Sequence, residues 1–85
     1  MATKRVRRIP VKYRKEVEIS LRRLSKAIQG KREALGLTQE ALSEKLGIGV
    51  TTLQSIEQQR RYPSLPMLFY VLCYLNVDFR IELQG

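Results

Sequence analysis

The sequence predicts an all-α domain of four to five short helices, followed by a short C-terminal β-strand. Apolar residues recur at intervals of three and four over residues 17–75, and glycines or capping residues divide this region into segments. From residue 77 the apolar residues instead alternate with polar ones. The first spacing is typical of helices that pack on a core, and the second is typical of a strand.

The first predicted helix follows Pro10 and ends before Gly36. Glycine at that position is suited to the left-handed conformation that ends many helices. Ser20 is a residue that caps helices, so residues 14–35 form either one helix or two. The side chains expected to face the core lie on one stripe: Val17, Leu21, Leu24, Ile28 and Leu35.

Two short helices are predicted next, Gln39–Leu46 and Val50–Gln58. Thr38 is a good N-cap for the first of them, Gly47 ends it, and Gly49 is an acceptable N-cap for the second. We expect Ile48 to fill the turn between them. The side chains expected to face the core are Leu42, Leu46, Leu53 and Ile56.

Ser64 is the expected N-cap of a fourth helix, roughly residues 65–75, which is apolar on all sides. One side carries Leu65, Leu68, Leu72 and Leu75, and the other carries Met67, Tyr70, Val71 and Tyr74. Cys73 is expected to be a buried thiol, and Asn76 to end the helix. A small domain cannot easily cover such a helix, whereas a second subunit can.

The tail from Val77 is predicted to be a β-strand with its apolar side chains on one face. A single strand in a helical domain has no partner for its backbone groups, so we expect it to pair with the same strand of a second chain. The alternative is a tail that packs on its own helices. The predicted homodimer interface consists of Tyr70, Tyr74, Phe79, Ile81 and Leu83.

The charge of the chain is concentrated at its N-terminus. The net charge of the 85 residues is +8, and residues 1–15 alone carry seven basic residues and no acidic one. We divide the chain into a basic arm (1–15), a helical domain (16–76) and a dimerisation strand (77–85). Such an arm suits a polyanion. The alternative is a solvated tail that aids solubility.

The residue types that are missing exclude several classes of function. The chain has no His and one Cys, so a Ser–His–Asp triad, a zinc site and a disulfide framework are excluded. We expect no enzyme activity, no metal and no cofactor. The uncharged run 62–77 is too short to span a bilayer, and the N-terminus is too charged for a signal peptide. A cytoplasmic protein is expected.

The stretch "LTQEALSEKLGIGVTTLQSIE" carries the functional signal. Two helices joined by about three residues around a glycine have the spacing of a helix-turn-helix, whose second helix enters the DNA major groove. The stretch resembles the phage-repressor-like (Cro/C1, XRE) regulators over about residues 24–77, and this implies a lambda-repressor-like fold. The resemblance rests on Thr38–Gln39, Gly47, Ile56–Glu57, Pro63–Ser64 and the apolar residues named above. Ser43 and Gln59 depart from the pattern, where alanine and glycine are usual.

The second helix of this pair carries short polar and methyl-bearing side chains that can reach base edges. The resemblance assigns base reading to Val50, Thr51 and Ser55, with Gln54 nearby. Thr early in a helix is also ordinary, and Thr52 is assigned to a phosphate. The other predicted phosphate contacts are Gln39 at a helix N-terminus, Arg60 and Arg61 after the second helix, and Lys45. For the last three, a solvated side chain is the alternative.

Arg32 and Glu57 are assigned to structure. The resemblance implies that the arginine of the first helix pairs with the glutamate that ends the third. We therefore expect an ion pair that orients the DNA-reading helix, and no catalytic role for either residue.

The tail narrows the resemblance further. A helix-turn-helix followed directly by "LCYLNVDFRIEL" is similar to the HipB-type antitoxins. That similarity implies a homodimer that binds a pseudo-palindromic operator in double-stranded DNA, represses its own operon and binds a HipA-like kinase toxin. Two alternatives remain open, a phage or restriction-modification controller without a toxin and a protein-binding adaptor with the same fold.

Overall fold

The computed structural model describes residues 9–60, 63–78, 80 and 82. This part of the chain contains the helices α1 (Val11–Ala34), α2 (Gln39–Leu46), α3 (Val50–Gln58) and α4 (Leu65–Tyr74). The prediction of an all-α fold is confirmed for these residues. All four helices contribute to one core, made of Leu24, Ile28, Leu42, Leu46, Leu53, Ile56, Leu68, Val71, Leu72 and Leu75.

Helix α1 is continuous, so the possible break at Ser20 does not occur. Its C-terminal half joins the core through Leu24 and Ile28, whereas Val17 and Leu21 are only half-buried. The prediction for Leu35 is wrong, since this side chain is 59% exposed. The helix ends at Ala34, and the chain turns away at Gly36, whose φ is 72°.

The boundaries of α2 and α3 follow from local hydrogen bonds. The Thr38 hydroxyl accepts a hydrogen bond from the Ala41 N–H at 3.0 Å and so caps α2. Gly47 ends α2 in the left-handed conformation, with φ 73°. Gly49 is the N-cap of α3, and Ile48 packs half-buried against the core between the two helices.

Helix α4 begins at the predicted cap, where the Ser64 hydroxyl accepts from the Met67 N–H at 3.3 Å. One prediction for this helix is wrong, since Cys73 is exposed. Leu65 is 62% exposed in the single chain, although it was predicted on the same side as Leu68. The core takes Leu68, Leu72 and Leu75 from one of the two predicted sides and Val71 from the other. What remains is an apolar surface without a charged residue, called the exposed α4 face below: Leu65, Phe69, Tyr70, Cys73 and Tyr74.

The strand predicted for the tail is not present in the described residues, where Arg80 and Glu82 are helical. The Glu82 N–H donates to the Asp78 carbonyl at 3.2 Å, and the Asp78 carboxylate accepts from the Arg80 N–H at 3.0 Å. A helical turn satisfies its own backbone groups within one chain, whereas a strand requires a neighbouring strand. Phe79, Ile81 and Leu83 lie outside the described residues.

The loop after α3 adopts the geometry that suits glycine. Gln59 has φ 60°, and the Arg60 N–H donates to the Ser55 carbonyl at 3.1 Å. Glutamine in the left-handed region is strained by contact of its Cβ with the backbone. The fold thus keeps the turn that the glycine of related sequences would form, at a cost to stability.

We expect Gln59→Gly to raise the free energy of unfolding by up to about 1 kcal/mol, because it relieves this strain. The matched control is Gln29→Gly, which places the same change inside α1 at an exposed helical position. That variant should lose about 1 kcal/mol. Urea unfolding measures both values, and a Gln59→Gly protein no more stable than the wild type would contradict the strain.

Candidate nucleic-acid interface

Helices α2 and α3 form the pair that the sequence predicted, joined through residues 47–49. Their contact is apolar, with Leu42, Leu46, Leu53 and Ile56 each no more than 4% exposed. Ser43 fits into it because its hydroxyl donates to the Glu40 carbonyl of its own helix at 2.8 Å. A hydroxyl therefore replaces the usual alanine without an unpaired polar atom.

The outer side of α3 has the side chains suited to base edges. Thr51 and Thr52 are exposed, and Val50, Gln54 and Ser55 are half-buried. None of them is charged, and α3 as a whole contains one charged residue, Glu57, which is 7% exposed. The helix thus presents a neutral outer surface and turns its carboxylate inward.

The inward carboxylate forms an ion pair with α1. The guanidinium of Arg32 donates from Nε to one oxygen of Glu57 at 2.8 Å and from Nη2 to the other at 3.0 Å. Both side chains are buried, with 10% and 2% exposure. The structure therefore joins the two residues that the sequence analysis paired. The hydrogen-bonded Glu57 carboxylate raises the pKa of Arg32 above its ordinary value.

The same pair reaches two further elements. Arg32 Nη1 donates to the Leu37 carbonyl at 2.8 Å, which fixes the turn between α1 and α2. Gln39 Nε2 donates to a Glu57 oxygen at 3.1 Å. One buried carboxylate therefore connects the end of α1, the start of α2 and the end of α3.

A second tie to α3 comes from Ser25, which the sequence analysis missed. Its hydroxyl donates to the Ile56 carbonyl at 2.8 Å, and the residue is 7% exposed. The last carbonyls of a helix have no partner within the helix, so this bond satisfies one of them. The signal in the sequence was a small polar residue next to Leu24, on the side of α1 that carries the core residues.

The predicted phosphate contacts differ in exposure. Gln39 is half-buried and its side chain is held by Glu57, while Lys45 and Arg60 are exposed. The Arg60 guanidinium donates to the side-chain oxygen of Gln58. Arg61 lies outside the described residues.

A cleft of about 560 Å³ separates α3 from the start of α4 and is lined by Thr51, Thr52, Ser55, Ile56, Arg60, Pro63, Ser64 and Met67.

Two of the predicted interface residues lie on the exposed α4 face. Tyr70 is 43% exposed and Tyr74 is 46% exposed. The Tyr70 hydroxyl also donates to the Leu46 carbonyl and so ties α4 to the end of α2. Tyr70 therefore has a role within one chain that the sequence analysis did not foresee.

This arrangement defines a class of protein. Helix α3 is short and has a neutral, polar outer side. Buried polar contacts hold its C-terminal end, and a tight turn connects it to the shorter helix α2. These are the features of a helix-turn-helix that enters the major groove.

Comparison with known families gives the same result. The helix-turn-helix family matches residues 28–81, more than half of the chain. The chain belongs to that family, in its phage-repressor-like (Cro/C1, XRE) branch, and is a DNA-binding transcription regulator. Comparisons with curated proteins and with solved structures gave no match.

The described residues lack two further features. They contain no helix long and apolar enough to cross a membrane. Nor do His, Cys, Asp and Glu side chains among them gather in a group that could hold a metal ion.

We expect Glu57→Gln to lower the free energy of unfolding by about 3 kcal/mol, because it leaves the buried Arg32 charge without its partner. The matched control is Glu33→Gln, whose carboxylate lies 3.8 Å from the same guanidinium but is 61% exposed. That variant should change stability by less than about 0.5 kcal/mol. Chemical unfolding checks both values, and equal effects would contradict the role of burial.

Proposed function

We propose that this regulator is a homodimeric, sequence-specific repressor that performs no reaction. Two α3 helices, one from each chain, would enter adjacent major grooves about 34 Å apart on a pseudo-palindromic operator. The observation that carries the proposal is the fixed position of α3. Hydrogen bonds from α1 and α2 hold its C-terminal end, and its neutral outer side faces away from the core. The lack of His and the single Cys support a function without catalysis.

Base reading is assigned to Val50, Thr51, Gln54 and Ser55. Gln can pair with adenine through two hydrogen bonds, and the methyl groups of Thr and Val suit the methyl of thymine. Thr51 is exposed near the start of α3, the end of the helix that contacts base edges in this motif. Support also comes from the uncharged surface, since a carboxylate there would repel phosphates.

Phosphate binding is assigned to Gln39, Lys45, Thr52, Arg60 and Arg61. Gln39 begins α2, where unpaired N–H groups and the helix dipole favour an anion. Its side chain is held by Glu57, so a phosphate would find it already oriented. Thr52 and Arg60 line the cleft beside α3, along which a DNA backbone strand would pass.

Dimerisation is assigned to the exposed α4 face. This face has five apolar or weakly polar side chains and no charged one. The other side of the same helix packs in the core of the chain, so the core does not cover this face. Contiguous exposed apolar surface of this kind marks interaction sites. A two-fold contact would bring α4 of one chain against α4 of its partner.

The antitoxin role is a second candidate that rests on the similarity of the tail to HipB-type antitoxins. Among the described tail residues Arg80 and Glu82 are helical and none is in a strand, so the feature that distinguishes this group receives no support from the single chain. Co-purification of the protein with a kinase-like protein encoded next to it would favour the antitoxin. A repressor without such a neighbour would favour a phage or restriction-modification controller.

We expect Thr51→Ala to relax the preference at one base position per half-site, at a cost of about 1–3 kcal/mol in binding to the preferred duplex. The operator is found first, by selecting bound duplexes from a random pool with the wild-type protein. The same selection with the variant measures the change. An identical selected sequence would refute the assignment of Thr51.

The control for this experiment is Thr38→Ser, which keeps the α2 cap and lies off the outer side of α3. It should select the wild-type sequence. Failure of the wild-type protein to select any sequence would refute the repressor itself and favour a protein-binding adaptor.

We expect Tyr74→Glu to convert the dimer into a monomer, because it would bury an unpaired carboxylate in the subunit contact. Tyr13→Glu is the matched control, since the exposed fractions of the two tyrosines are 46% and 48% and Tyr13 lies on α1. Sedimentation equilibrium gives the mass of each. A wild-type protein with the mass of one chain, free and on its duplex, would contradict the dimer.

A further inference from the structure

The net positive charge of the protein comes from residues that precede the segment that matches the helix-turn-helix family. Residues 1–27 contain ten basic and two acidic residues, whereas residues 28–85 contain six of each. The whole excess of +8 therefore precedes the matched segment, which begins at residue 28. Non-specific affinity for DNA comes from cations that neutralise phosphates. Residues 28–85 contribute such cations, among them Lys45 and Arg60, but their six acidic residues offset them.

Helix α1 carries part of this charge as an ordered surface, because it begins at Val11, well before the matched segment. At 100° per residue, five exposed basic side chains fall within an arc of about 100° and extend over about 21 Å of helix. The arc is on the opposite side of α1 from Leu24 and Ile28, which enter the core. We call it the α1 basic face: Lys12, Lys15, Arg22, Arg23 and Lys26.

The side chains of this face are available for a partner. Within the described residues, none of the five forms an ion pair with a carboxylate. Glu16 and Glu18, the acidic residues of the N-terminal half of α1, fall on either side of the arc at 100° per residue. The Lys12 ammonium lies 5.1 Å from the centre of the Tyr13 ring, a contact that leaves its charge intact.

We propose that the α1 basic face binds the backbone of duplex DNA outside the base pairs that α3 contacts, as a second and sequence-independent contact. A helix segment of about 21 Å extends past roughly six phosphates of one strand, spaced 3.4 Å apart along the axis. The inference rests on the proposed function, in which α3 supplies the sequence preference. The α1 basic face supplies affinity and salt dependence.

A helix with one basic and one apolar side also suits an anionic membrane surface. Insertion into lipid requires that the apolar side be free. Here Leu24 and Ile28 are 7% and 0% exposed, and Leu21 is half-buried. The C-terminal half of the apolar side is thus committed to the protein core, whereas Tyr13, Val17 and Leu21 keep part of their surface exposed. The most exposed part of α1 is therefore its charged side. Nucleic acid is the partner that fits.

The test compares two full-length double variants that each lose two charges. Lys15→Gln with Arg22→Gln removes charge from the α1 basic face. Lys31→Gln with Arg80→Gln removes it elsewhere, since Lys31 lines the cleft between α1 and the tail, and Arg80 lies in the tail and pairs with Asp78. Glutamine keeps helix propensity, and circular dichroism confirms that both variants fold. Binding is measured from low to high salt on a duplex of arbitrary sequence and on the selected duplex.

We expect the first variant to reduce the slope of log K against log salt by about 1.8 on both duplexes, and to keep the wild-type ratio of the two affinities. The control should keep the wild-type slope. Equal slopes in the two variants would overturn the inference. So would loss of binding to phosphatidylserine vesicles in the first variant together with an unchanged slope on DNA.

Failure of the proposed function gives a different result. In that case selection from the random pool gives no preferred duplex, whatever the slope on the arbitrary duplex is. The slope comparison then still decides whether the α1 basic face contacts DNA, because the arbitrary duplex needs no sequence preference.

Discussion

The fold depends on one buried carboxylate that three helices share. Glu57 ends α3 and accepts hydrogen bonds from Arg32 of α1 and from Gln39 of α2. A buried charge is costly unless its partner is well placed, so a displacement of any of the three helices is penalised. Apolar contacts alone would tolerate small rotations of α3, since they have little directional preference. The polar contacts give the helix one orientation.

This constraint separates the two sides of α3. Its inner side carries every contact that holds the helix, including the bond from Ser25 to the Ile56 carbonyl. Its outer side carries uncharged side chains, of which Thr51 and Thr52 are exposed and Gln54 and Ser55 are half-buried. The outer residues could therefore vary between related regulators without a cost to folding. Specificity and stability are assigned to different side chains of one short helix.

Much of the fold could be predicted from the sequence because its signals are local. The caps at Thr38 and Ser64 and the left-handed Gly47 each depend on a few neighbouring residues. Exposure was harder to predict. Leu65 and Cys73 lie in an apolar helix, and periodicity alone does not say which side the core takes when all sides are apolar. The strand expected from Val77 onward is not seen among the described tail residues for another reason, since alternation describes side chains and not the availability of a partner for the backbone.

The candidate site shows the same limit. The pairing of Arg32 with Glu57 was predictable by resemblance, but the bonds of Gln39 and Ser25 to the end of α3 arise from tertiary packing that spacing does not encode. The spacing of apolar residues also did not show where the basic arm ends and α1 begins. The structure begins this helix at Val11, so part of the charge assigned to an arm belongs to an ordered surface.

The most direct test of the central claim replaces both members of the pair, as Arg32→Met with Glu57→Leu. Such exchanges of a buried pair for apolar residues often leave stability unchanged or improved. We predict a folded protein within about 2 kcal/mol of the wild type that binds the selected duplex at least about tenfold more weakly, a loss of roughly 1.4 kcal/mol. Wild-type affinity and sequence preference in that variant would contradict the account, because α3 would then be oriented without the carboxylate.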